Sequence, residues 1–152
     1  MSKNFFFVIP LLILVFLIYR FFVYHPSTKQ NTFQIKGQEY NLEIATTLTQ
    51  KEQGLMNRTN LCQNCGMIFV STIEIPQIFW MKNTLIPLDI IFLDKKGRVI
   101  NIASALPQPG VPDEQLTLYK SDRNSKYVIE LNAGDSDKLN LKTGDYIDLS
   151  TL

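Results

Sequence analysis

The chain is poor in the residues that most often carry chemistry. Its 152 residues include one histidine, two cysteines and one tryptophan. His25 stands in a polar stretch directly after a long apolar run, too far from the remaining motifs to serve them. A serine or cysteine nucleophile activated by histidine is therefore excluded. Two cysteines and one remote histidine cannot supply the four ligands of a self-contained zinc site, so no metal and no cofactor are expected. Long runs of one charge are also missing. Setting Lys3 and Arg20 aside takes the 15 basic residues to 13, against 14 acidic ones. A near-neutral chain without basic tracts argues against nucleic acid as a partner. No internal repeat is visible.

One long hydrophobic run is present. Residues 5–24 are apolar except for Pro10 and Arg20. About 20 residues is what a helix needs to cross the hydrocarbon core. Pro10 lies near the start, where a membrane helix tolerates it, and Arg20 can snorkel beside Tyr19 and Tyr24. Residues 21–26 lack the small residues of a cleavage site, and no cysteine follows to carry a lipid. A buried helix, apolar all round, does not suit so small a domain. The expectation is an uncleaved transmembrane anchor over residues 1–24, a linker over 25–31 and a globular domain over 32–152. Lys3 on one side and Arg20 and Lys29 on the other leave the positive-inside count undecided. The short N-terminal tail before a long globular part resembles an export signal. The domain is therefore read as extracytoplasmic, on a single-pass membrane protein whose first partner is the membrane itself.

The rest reads as short strands. Phe33 and Ile35, then Tyr40, Leu42 and Ile44, alternate with polar residues around Lys36-Gly37 and predict a hairpin. Residues 47–57 carry a helix signal, with Thr49 as cap, Glu52 as its capping-box partner and Gly54 limiting its length. Strands follow at 66–70, 78–84, 88–93 and 98–103, with a turn at 94–97. Residues 106–113, with three prolines and a glycine, form a loop. A strand at 127–131, a short helix within 133–141 and a last strand at 146–149 complete the pattern. The predicted class is α+β, mainly antiparallel, with one or two short helices. A small barrel or a strongly curved sheet is the expected closure.

Several motifs then stand in a fixed order: Gly54-Leu55-Met56-Asn57-Arg58, Gly66-Met67-Ile68-Phe69, Phe79-Trp80-Met81-Lys82-Asn83-Thr84 and Ile86-Pro87-Leu88-Asp89-Ile90-Ile91-Phe92. Tyr127-Val128-Ile129-Glu130-Leu131, Ala133-Gly134 and Gly144-Asp145 follow them. In this order they resemble the domain-of-unknown-function 192 family over residues 33–150. The resemblance implies a compact, β-rich domain, often behind an export signal or anchor, and implies no activity. Cys62-Gln63-Asn64-Cys65 departs from the family pattern, which has ordinary polar loop residues there.

Residues 79–94 concentrate polar groups in otherwise apolar sequence. As a strand, 78–84 would place Trp80, Lys82 and Thr84 on one side and Phe79, Met81 and Asn83 on the other. Lys82 and Asp89 could lie at a solvent-facing edge, or form a partly buried pair that shapes the turn at 85–87. Alternatively Trp80 floors a groove in which Lys82 and Arg58 meet an anionic or carbonyl group, oriented by Asn83 and Thr84. A catalytic version would use Asp89 as general base with Lys82 or Arg58 stabilising charge, in a hydrolase or lyase. Cys62 and Cys65 read as a disulfide pinning the loop before Gly66, as a thiol redox pair, or as part of a shared metal site. Met56, Met67 and Met81 could offer thioethers to Cu(I), although methionine more commonly fills core gaps. The leading expectation is a non-catalytic module binding a small ligand or a protein partner, with candidate residues Arg58, Trp80, Lys82, Asn83, Thr84 and Asp89.

Overall fold

The computed structural model describes residues 29–152. The anchor expected over 1–24 and most of the 25–31 linker lie outside the described residues. Among the described residues no helix is long and apolar enough to cross a membrane.

The predicted first hairpin is present as β1 (Lys29–Ile35) and β2 (Gln38–Ala45), paired with Ile35 opposite Gln38. Lys36 and Gly37 both take positive φ, 52° and 82°, as a tight hairpin turn requires. The first helix, α1, runs over Leu48–Gln53. Its cap is Thr47, two residues before the expected Thr49. The Thr47 hydroxyl accepts from the Gln50 backbone N–H, and the Gln50 side-chain oxygen accepts in return from the Thr47 N–H. A glutamine offers the same acceptor as a glutamate, so the box closes two residues earlier than the Thr49–Glu52 reading. Gly54, at φ 47°, ends the helix.

β3 (Cys65–Ile75) lies parallel to β2, and α1 provides the crossover between them. β5 (Leu88–Leu93), β6 (Val99–Ala105) and β8 (Ser125–Asn132) add antiparallel neighbours. The resulting six-stranded sheet has the order β1-β2-β3-β8-β5-β6. It is open. The expected barrel does not close, because β1 and β6 remain separate edges.

Two further expectations need correction. The strand read at 78–84 survives only as β4 (Ile78–Phe79), paired with β7 (Tyr119–Lys120) in a separate two-stranded sheet. Beyond Phe79 the backbone turns away, and Asn83 sits at φ 51°, incompatible with a continuing strand. The last strand read at 146–149 is a single bridge between Arg98 and Tyr146. The short helix expected within 133–141 is present as α2, one turn over Asp135–Lys138.

Because the central strands are covered on both sides, their alternation separates two cores rather than a core and a solvent face. Ile129 and Leu131 of β8, with Ile91 and Leu93 of β5, join a cluster closed by Leu139, Leu141, Ile147 and Leu149. Val128 of β8 and Leu88, Ile90 and Phe92 of β5 join the other, closed by Leu55, Leu61, Phe79, Met81 and Ile86. All six residues of β5 are buried. Any charged residue in β5 or β8 therefore needs a partner inside the molecule.

Candidate functional site

Two acids meet that condition, one on each face. Asp89 of β5 points into the first face and is 2% exposed. Its carboxylate accepts from the backbone N–H groups of Gly134 (3.0 Å) and Ser136 (2.9 Å) and from the Ser104 hydroxyl (3.2 Å). It holds the start of α2 against the sheet. Its lone pairs are occupied by the fold.

Glu130 of β8 points into the second face and is 5% exposed. It lies in one transverse row with Glu43 of β2, Met67 of β3 and Ile90 of β5. Among the described residues no hydrogen bond reaches its carboxyl group. Burial pushes its pKa up to about 8, and the Arg58 charge only partly opposes that shift. Near neutral pH it is a carboxylic acid that can still ionise at modest cost.

Arg58 is turned away from a ligand role. Its guanidinium forms a bidentate pair with the Glu43 carboxylate, Nη1 to Oε1 and Nη2 to Oε2 at 2.8 Å. That hydrogen bonding from Glu43 holds Arg58 charged despite its partial burial.

Glu130 and Phe69 lie in a cavity of about 210 Å³. Residues 51–56 of α1 and the following loop form one wall, and residues 77–80 with Thr84 form the other. The segment after α1 is tied to the opposite wall where the Asn57 N–H donates to the Asn83 carbonyl at 2.9 Å. The walls are strongly aromatic. Phe69 and Phe79 meet edge to face with centroids 4.8 Å apart, and Phe79 packs the same way on Phe92 at 6.0 Å. Ser71 and Gln77 add polar groups, joined by a Gln77 Nε2 to Ser71 hydrogen bond of 2.9 Å. Lys51 stands at the wall with its pKa lowered, chiefly by burial and then by the nearby Lys126 charge.

The structure thus brings together only part of the candidate set. Trp80 and Thr84 line the cavity. Lys82 is outside its lining, paired with Asp113 at 2.7 Å while its ammonium lies 5.8 Å from the Trp80 ring centroid. Asn83 is exposed and contributes its backbone to the rim. Asp89 serves the opposite face, and the Lys82–Asp89 pairing does not form. Cys62 and Cys65 are joined as a close pair, Cα atoms 5.2 Å apart, where the loop enters β3. They lie at the helix-to-strand side of the β2-α1-β3 unit, not at the strand-to-helix turn of a thioredoxin-like site. Met67 and Met81 are buried in the second core, and Met56 lines the cavity.

Glu130 is the residue that sequence reasoning passed over. The available signal was an acid between Ile129 and Leu131 in a strand with no polar alternation. Only a central strand, covered on both faces, makes that acid costly.

A two-faced, open α+β sheet with one aromatic-walled cavity and a buried acid defines a small cavity-bearing domain, with no activated nucleophile among the described residues. The chain belongs to the DUF192 family, described as an uncharacterized ACR, whose profile matches residues 31–149. A UPF0127 protein of Thermococcus sibiricus is 30% identical over 109 residues, 70% of this chain. The match spans 64% of that relative's length. Among solved structures, a Sinorhizobium meliloti protein provisionally assigned as a transcription regulator is similar with a TM-score of 0.74 and 29% identity, over 84% of this chain and 99% of that one. A Novosphingobium aromaticivorans protein of unknown function is similar with a TM-score of 0.68 and 34% identity, over 82% of this chain and 89% of that one.

Proposed function

We propose that this domain is a non-catalytic binding module whose site is the cavity between α1 and residues 77–84, floored by Glu130. One observation carries the reading. A nearly fully buried acid that no hydrogen bond reaches among the described residues is costly to the fold, and here it lines a cavity. Apolar and aromatic walls with a few convergent polar groups are the general character of a ligand site. A tether through residues 5–24 and an extracytoplasmic setting belong to the same proposal, supported by the hydrophobic run and by the Cys62–Cys65 pair, which suits an oxidising compartment.

The test is an amide-shift map of the labelled protein against a panel of small amines, carboxylates, sugars and nucleotides. At least one class should move the resonances of residues 51–56, 77–80 and 130 together and leave the Asp89–Gly134 region still. A panel that moves none of them removes the binding reading.

A further inference from the structure

We propose that the cavity takes a small organic cation, its ammonium group seated on the Glu130 carboxylate between the Phe79 and Trp80 side chains. This deepens the binding reading above and rests on it. Three observations converge on the sign of the ligand charge. Of the charged residues lining the cavity, Lys51 and Glu52 offset each other, so Glu130, once ionised, has no counter-charge in the lining. Arg58, the cation nearest to Glu130 electrostatically, is already bound bidentate by Glu43. Three aromatic side chains, Phe69, Phe79 and Trp80, line the same space, and aromatic faces attract cations once water is displaced. Trp80 already presents its ring to one ammonium, that of Lys82. An ionised Glu130 lacks donors among the described residues, and an ammonium group supplies them together with the missing counter-charge.

Binding is then coupled to a proton. The groups facing Glu130 are Glu43 across the row, Arg58 from the loop, Lys51 and Glu52 from α1, and Lys126 along its own strand. Burial dominates over these, and Glu130 holds its proton up to about pH 8. A cation must displace that proton, so affinity rises about tenfold per pH unit below 8 and levels off above it. An anion would show the reverse trend, because it would use the protonated acid as a donor and Lys51 as its counter-charge.

The experiment titrates the full-length chain in nonionic detergent with n-butylammonium, tetramethylammonium and n-butyrate between pH 6 and pH 9. It reads fluorescence of Trp80, the chain's one tryptophan, and the amide shifts of residues 77–80. Both cations stay charged over this range. The expected result is binding of n-butylammonium that strengthens about tenfold from pH 6 to pH 7, falls at least about tenfold in Glu130→Gln, and tightens in Lys51→Met. Tetramethylammonium binding alongside would assign the recognition to the aromatic walls and charge; its absence would assign it to hydrogen bonds at Glu130. Glu130→Gln is expected to fold at least as well as the parent, since it removes a buried titratable group, and its amide spectrum checks this. Binding of n-butyrate that weakens with pH and is lost in Lys51→Met overturns the cation and leaves the cavity as a ligand site. Binding of uncharged panel members alone also overturns the cation. No response to any probe overturns both readings.

Discussion

Two acids in neighbouring central strands show how one residue type is put to opposite uses. The fold supplies Asp89 with two backbone N–H donors and a hydroxyl, and among the described residues it supplies Glu130 with none that reach its carboxyl group. Asp89 therefore acts as an internal clasp, and Glu130 stands as a titratable group at the floor of a cavity. The sign of the resulting pH dependence follows from its raised pKa. Between the ordinary glutamate value of 4.5 and about 8 the folded protein holds a proton that the unfolded chain has released. Stability from this group is thus complete below about pH 4.5 and is lost as pH rises towards 8. Glu130→Gln should remove that slope, leaving the protein on the order of 3 kcal/mol more stable than the parent at pH 7 and little changed at pH 4. Urea melts at a series of pH values measure it. Parallel stability curves for parent and variant would mean that Glu130 is ionised and satisfied in the folded state.

At the scale of elements, three strands approach closely at Gly66, on the sheet face opposite the cavity. A Cβ added there would meet the Glu130 carbonyl oxygen, with the Leu131 and Leu42 methyl groups at 2.7 and 2.9 Å. Two of these obstacles belong to β8 itself, so the strand carrying Glu130 would have to move. Gly66→Ala should cost about 3 kcal/mol or more, within the range of severe core overpacking. It should also shift the resonances of β8 as a unit, in thermal melts and amide spectra. A loss under about 1 kcal/mol would show that β3 and β8 can separate without consequence. The helix that walls the cavity depends on its cap in a milder way. Thr47 and Gln50 satisfy one another's backbone donors, and the single Gly54 turn that follows sends residues 55–58 over the sheet.

Across the whole molecule the open sheet leaves two edges that must not invite further pairing. β1 presents Lys29, Asn31, Thr32 and Gln34. Beside β6, Asn101 donates to the Lys120 carbonyl and accepts from the Asp122 N–H, covering part of that edge with the 120–122 segment. The Cys62–Cys65 pair sits at the far end of β3 from Ile75. Its ring is so short that chain entropy assigns it no more than about 2 kcal/mol. Asn64 accepts from the Asn41 N–H at 2.8 Å, and Asn132 donates to the Cys62 carbonyl at 3.1 Å, so the loop is held by other contacts as well. Reduction should therefore lower the melting temperature by only a few degrees, with faster amide exchange confined to residues 62–66 and Asn41. Global unfolding on reduction would make the pair a main support of the fold.

What could be read from the chain alone is whatever depends on neighbours in sequence. The β1–β2 turn follows from Lys36-Gly37 between alternating runs, and the β5–β6 hairpin from apolar strands around a charged Gly97 turn. The order of motifs carries the family. The sheet's openness, the loss of strand after Phe79 and the shift of the cap to Thr47 depend on what packs against each segment. Local pattern records none of that. The site shows the same division. Trp80 and Thr84 could be singled out as polar or aromatic residues in an unusual run, but Glu130, which lines the same cavity, lies 50 and 46 residues further on in an ordinary-looking strand. Sequence determined which residues alternate and where the chain turns. Tertiary structure alone decided which face each buried acid meets, because pairing in the sheet sets the burial that gives a carboxyl group its cost.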